Sequence, residues 1–205
     1  METVVVVVGA AAQAGAWWFV SFREMDVWRV TIPVLAATGG AALAVGPPPW
    51  SPDVDPALAA AIGVGTGAGL YAATRAFVLI ARPWRTFRRH AETMYEHRGG
   101  RPLGWALALS VVVGVPGEEL FWRGLVQQDV AGGSAITAAL VTWLGYVVVN
   151  VPSVNLAAVA AAVAGGAMWG WLGWWTGGVL APLLSHAAWT AMMISFPVGR
   201  AERVA

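Results

Sequence analysis

Cysteine and lysine are both missing from this chain. Without cysteine there is no disulfide, no thiol nucleophile and no thiolate-bound zinc, and the redox state of the surrounding compartment leaves no trace in the sequence. Without lysine every fixed positive charge is an arginine, and a net charge of only +1 argues against nucleic acid as a partner. Charge of either sign is scarce: 11% of the 205 residues are charged, against 58% hydrophobic, and the mean hydropathy is +0.65. A soluble domain of this length could not hide so much apolar surface in one core. The expected fold is therefore all-α, a polytopic transmembrane helical bundle. No internal repeat is evident. The N-terminus carries Glu2 where a secretory signal would carry bases, so Val4 to Phe22 is taken as a first span.

Apolar runs long enough to cross a hydrocarbon core, about 20 residues each, fall at Val4 to Phe22, Val27 to Val45, Ala57 to Ala81, Leu103 to Val130, Ser134 to Val151, Leu156 to Trp174 and Val179 to Val198. That makes about seven spans. Pro47-Pro48-Pro49 and Asp53-Val54-Asp55-Pro56 form a turn-rich linker, and Gly132-Gly133 and Gly177-Gly178 punctuate later runs. Trp28, Trp50, Trp84, Trp105, Trp174 and Trp175 lie near run ends, where indoles favour the headgroup layer. Gly63, Gly65, Gly67 and Gly69, and again Gly166 and Gly170, suit close helix packing.

The segment from Arg82 to Arg101 departs from this pattern. Arg82, Arg85, Arg88, Arg89, Arg98 and Arg101 face only Glu92 and Glu96, and Trp84, Phe87, Met94 and Tyr95 have the spacing of an amphipathic interfacial helix. The positive-inside rule makes this loop cytoplasmic, and Arg75 is close enough to snorkel to the same interface. Counting outward puts Arg23, Arg29 and the tail with Arg200 and Arg203 on the same side, with Asp53 and Asp55 opposite. The expected organisation is residues 1–101 as N-terminal spans plus basic loop, 102–198 as a functional core in the last four spans, and 199–205 as a cytoplasmic tail.

Two carboxylates and a guanidinium interrupt the fourth run, as Gly117-Glu118-Glu119-Leu120-Phe121-Trp122-Arg123-Gly124. Ionisable groups inside a span are costly unless paired or facing a cavity. At about 100° per residue Glu119 and Arg123 stand one turn apart on a helix, whereas Glu118 is rotated well away. Glu119 pairs naturally with Arg123, and Glu118 is left free to face a cavity as a general base. The alternative is an ion-pair network that merely holds helices together. Further on, the polar residues come in one-turn pairs, Tyr146 with Asn150 and His186 with Thr190.

These motifs, in this order, resemble the CAAX protease and bacteriocin-processing (CPBP, or Abi) family of intramembrane proteases. That family has Glu-Glu-x-x-x-Arg, then Phe-x-x-x-His, then His-x-x-x-Asn after a lead-in similar to Thr-Gly-Ser-Leu and a proline. Glu118-Glu119-Leu120-Phe121-Trp122-Arg123 carries the first motif, and Thr176-Gly177-Gly178-Val179 through Pro182 to His186 the third. The second is Tyr146-Val147-Val148-Val149-Asn150, with Asn in place of His, and the third ends in Thr190 in place of Asn. The resemblance covers roughly residues 100 to 195.

What the resemblance implies is an intramembrane endopeptidase in which Glu118 activates water, with His186 and Asn150 as catalytic partners and Glu119, Arg123, Tyr146 and Thr190 in support. No cofactor is assigned, and zinc is disfavoured because an Asn150 amide is a poor ligand beside imidazole. The expected partners are a peptide or membrane-protein substrate and the lipid bilayer, the expected location a bacterial plasma membrane. Two rivals are a catalytically silent relative that binds or chaperones a membrane partner, and a small proton-coupled transporter. The transporter is weakened by the missing repeat.

Overall fold

The computed structural model describes residues 1–130 and 135–198. The expected turn at Gly132-Gly133, Ser134, and the tail with Arg200 and Arg203 lie outside the described residues. Eight helices follow in order: α1 Glu2–Phe22, α2 Val27–Val45, α3 Pro56–Ile80, α4 Arg85–Glu96, α5 over residues 103–130, α6 Ala135–Asn150, α7 Leu156–Thr176 and α8 Leu180–Ser195. No strand occurs among the described residues, and six helices are long and apolar enough to cross a membrane. The chain is an integral membrane helical bundle.

Helix limits follow local chemistry. Asp26 caps α2 by accepting from the N–H groups of Trp28 and Arg29, and Asp55 caps α3 in the same way, with Pro56 supplying the preset φ of a first helical residue. Asn155 caps α7, which ends where Gly177 turns left-handed at φ +67°. The seventh apolar run yields only the 16 residues of α8, about 24 Å at 1.5 Å per residue. Val179 and Leu180 donate instead to the carbonyls of Pro49 and Trp50, and Pro197 halts the other end at Phe196. The seven-span expectation thus becomes six long helices, α6 reaching span length through the 3-10 turn Val151–Ser153 that continues it, and one short one. The proline-rich linker docks on the Thr176-Gly177-Gly178 lead-in.

Packing relies on selected glycines. A Cβ on Gly63 would stand 2.7 Å from the Ala181 carbonyl, and one on Gly67 would strike that of Ser185, so α3 and α8 pack backbone to backbone. Gly65 and Gly69 face open space. At the crossing of α2 and α5 a Cβ on Gly39 would lie 2.5 Å from the Cα of Gly117, the residue before Glu118. The core between these helices is aromatic, built from Phe121, Trp122, Tyr146, Trp169 and Leu172.

α5 is not a uniform α-helix. Residues Ala108–Gly114 and Leu120–Val130 wind in the wider π form, on either side of a short α segment Val115–Glu119. The Val115 N–H donates to the carbonyl of Ser110, five residues back. Pro116 lacks an N–H, and its ring would press on the carbonyl four residues earlier, so widening here relieves a clash.

α4 lies across one end of the bundle, Phe87 and Ala91 buried. His90 Nδ1 accepts from the Leu156 N–H at 2.9 Å, and its carbonyl accepts from Asn155 at 3.0 Å. The Tyr95 hydroxyl accepts from the Val198 N–H, and the His97 carbonyl from the Trp28 indole. Gly99 and Gly100, at φ +57° and +76°, turn the chain into α5.

Candidate active site

Glu118 and Glu119 sit between the two widened stretches of α5 and take opposite environments. Glu119 is wholly buried. Its Oε1 accepts from Arg123 Nη1 at 3.4 Å and lies 2.8 Å from His186 Nδ1 on α8. Arg123, equally buried, donates its other terminal nitrogen to the Gly166 carbonyl at 3.2 Å, and its guanidinium lies 4.8 Å from the Tyr146 ring and 5.6 Å from that of Trp169. A guanidinium in a membrane interior is tolerable on these terms, with one carboxylate, one carbonyl and two aromatic faces as substitutes for water.

Glu118 is rotated out of this cluster. Its side chain retains 17% exposure and lines a cavity of about 270 Å³ with His186, Thr190, Gly114 and Val115. Its Oε2 is 3.9 Å from His186 Nε2, and the Tyr146 phenol is a further interacting neighbour. The cavity runs past Thr31, Ile32 and Leu35 of α2 to Met94, Tyr95, His97 and Arg98 at the end of α4.

The two ring nitrogens of His186 are therefore inequivalent. A carboxylate at Glu119, paired with Arg123, can only accept, which assigns the hydrogen to Nδ1 and leaves Nε2 as the ring edge turned toward Glu118. Trp169 lies flat on the other side of the ring and is itself almost inaccessible.

Glu118, Glu119, Arg123, Tyr146 and His186 are thus brought together, and Thr190 lines the same cavity one turn from His186. Asn150 is not among the cavity residues. Its Nδ2 donates to the Tyr146 carbonyl at 2.8 Å, so the side chain closes the last turn of its own helix. Periodicity put Asn150 on the face of Tyr146, but at the end of the helix its amide bonds back to the carbonyl four residues earlier instead of facing the cavity.

Two participants carried no signal as site residues. Trp169 was one tryptophan among thirteen, and Gly166, read as packing alone, also presents a carbonyl to Arg123. The donor set does not complete a zinc site: the cavity offers the Glu118 carboxylate and the His186 Nε2, while Glu119 is committed to Arg123 and Nδ1. Catalytic zinc needs three protein ligands.

Residues 100–192 match the Rce1-like family, type II CAAX prenyl endopeptidase Rce1-like. This stretch is similar to the CAAX prenyl endopeptidases. The match runs from just before α5 into α8 and takes in all three motifs, so the CPBP resemblance holds for the part of the chain that carries Glu118 and His186. No curated protein and no solved structure matches the chain.

Proposed function

We propose that this protein is an intramembrane endopeptidase of the CAAX-protease type, with Glu118 as general base. The observation that carries this reading is the division between the glutamates: Glu119, wholly buried, gives its Oε1 to Arg123 and His186, whereas Glu118 fronts the cavity opposite His186 Nε2. A water at hydrogen-bonding distance from both acceptors, about 2.8 Å, subtends an angle of about 90° across their 3.9 Å separation. It donates one hydrogen to each and keeps an oxygen lone pair for a peptide carbonyl.

As the water oxygen bonds to the carbonyl carbon, Glu118 takes its proton, and the carbonyl π pair moves onto oxygen. The Thr190 hydroxyl, which lines the same cavity one turn from His186, is the donor assigned to that oxyanion. When the tetrahedral centre collapses, the carbon–nitrogen bond breaks and Glu118 returns the proton to the departing amine. Glu119 and Arg123 keep the His186 ring in one tautomer and orientation, as supporting groups.

The test is cleavage of a broad peptide library by protein purified in detergent. Wild type is expected to cleave, and Glu118→Gln, which keeps shape and hydrogen-bonding but cannot take a proton, to lose that activity by at least a hundredfold. Undiminished cleavage by Glu118→Gln removes Glu118 from the chemistry. Binding of peptides without cleavage by wild type favours the scaffold reading.

A further inference from the structure

A second cavity, of about 490 Å³, lies beside the first and uses none of its acid–base groups. It is a slot between α3 and α7, which flank α8 on opposite sides and scarcely touch each other. α8 supplies the floor with Trp189 and Met193, and α4 the roof with Phe87. On α7 the wall is Ala157, Ala161 and their small neighbours, so the slot exists because that half of the helix carries almost no side-chain bulk.

Volume and charge select an occupant. One helical turn with its side chains fills about 500 Å³, so the slot is too small for a transmembrane helix. A methylene takes up about as much space as a water molecule, ~30 Å³, so roughly sixteen fit. That is one acyl chain. The arginines bear on the head of such a molecule. Arg82, Arg85, Arg88 and Arg89 crowd the start of α4, in the same turns as Phe87, and among the described residues no carboxylate pairs with any of them. Arg85, Arg88 and Arg89 form a cleft of their own.

We propose that the slot binds one acyl chain of an anionic phospholipid whose phosphate sits among these arginines. Apolar burial holds the chain, and the charge selects the headgroup. Thr190 and Ile194 line both cavities, so the bound lipid lies against the stretch of α8 that carries His186.

The test is native mass spectrometry of delipidated protein given phosphatidylglycerol or phosphatidylcholine with identical chains, a readout independent of peptide cleavage. Wild type is expected to retain one phosphatidylglycerol about tenfold more tightly than phosphatidylcholine. Arg85→Gln/Arg88→Gln/Arg89→Gln is expected to erase that preference. Ala157→Leu/Ala161→Leu, filling the slot, is expected to weaken both lipids about tenfold while its melting temperature without lipid stays near wild type. A series of lysophosphatidylglycerols of 10, 16 and 22 carbons on wild type, which needs no variant, is expected to peak at 16. Retention that ignores chain length, or a slot-filled variant that binds as wild type does, reduces the effect to surface charge and overturns the site. Equal retention of both lipids by wild type overturns it as well.

Discussion

The ring of Trp169 lies flat against that of His186, their centroids 3.7 Å apart and their planes 16° from parallel. Glu119 grips the same imidazole through Nδ1, so only the Nε2 edge is left to the cavity. Trp169→Leu removes the flat support, and the expected result is a fall in kcat of about tenfold with KM little changed, since orientation contributes to the transition state. Trp169→Phe keeps an aromatic face and removes an indole N–H without a hydrogen-bond partner among the described residues, so it should recover most of the rate. Rates are normalised to folded protein, because loss of a fully buried tryptophan also costs about 3 kcal/mol of stability.

Arg123 and Glu119 are expected to matter for folding before chemistry. Arg123→Ala strands a buried carboxylate at a cost of roughly 3 to 5 kcal/mol, read as a large drop in melting temperature and yield. Arg123→Lys should rescue little, because one ammonium cannot span both Glu119 and the Gly166 carbonyl in the fork geometry of a guanidinium. Glu118→Gln should leave the melting temperature within a degree or two while abolishing cleavage.

Neighbouring glycines should respond in opposite ways. A Cβ on Gly117 would strike the Leu35 carbonyl, so Gly117→Ala must push α5 away from α2 and carry Glu118 with it. The expected cost is about 1 to 3 kcal/mol, together with lost activity. Gly40, one residue from the contact, has nothing within 4 Å of its missing Cβ. Gly40→Ala should be neutral or stabilising by up to about 1 kcal/mol. Thermal unfolding of the two variants separates the cases.

Asn150→His tests whether that position reaches the chemistry. With the Asn150 amide bonded to its own helix, a histidine there is expected to change cleavage by less than about twofold. A large gain in rate or a new metal dependence would show that the position does face the reacting groups.

At the α4 end, Asp26 pairs with Arg101 and accepts from the Trp28 and Arg29 N–H groups. Burial pushes its carboxyl up, but Arg101 and the two backbone donors outweigh this and hold it below its ordinary value of 3.8. Such a group binds its proton less readily when folded, so its stabilisation is fully present above about pH 4 and is lost as the pH falls through the folded value. Melting temperature should decline below pH 4, and Asp26→Asn should lower it at pH 7 and flatten that decline. Screening at this partly exposed pair keeps the effect to about 1 kcal/mol or less.

Much of the fold was legible because the information is local. Hydropathy over about 20 residues marks a span, Asp26, Asp55 and Asn155 mark helix starts, and the four-residue step from Glu119 to Arg123 sets a pair on any helix. The exceptions are local choices settled by distant partners. Val179 and Leu180, apolar enough to extend α8, turn instead to carbonyls of the proline-rich linker, each 130 positions earlier, and the helix falls short of a span.

By itself the sequence determined that this is a helical membrane protein, that its arginines concentrate in the segment from Arg82 to Arg101 while an acidic pair sits inside an apolar run, and that its second half carries motifs similar to those of the CAAX proteases. Only the tertiary structure decided which of those polar groups meet. Imidazole and carboxylate come together across 67 positions because α8 packs beside α5. Trp169 joins them from a third helix, and Asn150 satisfies its own backbone. Periodicity states which face of a helix a residue is on. What stands opposite that face depends on how closely backbones approach, and here Gly39, Gly63, Gly67 and Gly117 set that approach through the absence of a single carbon atom.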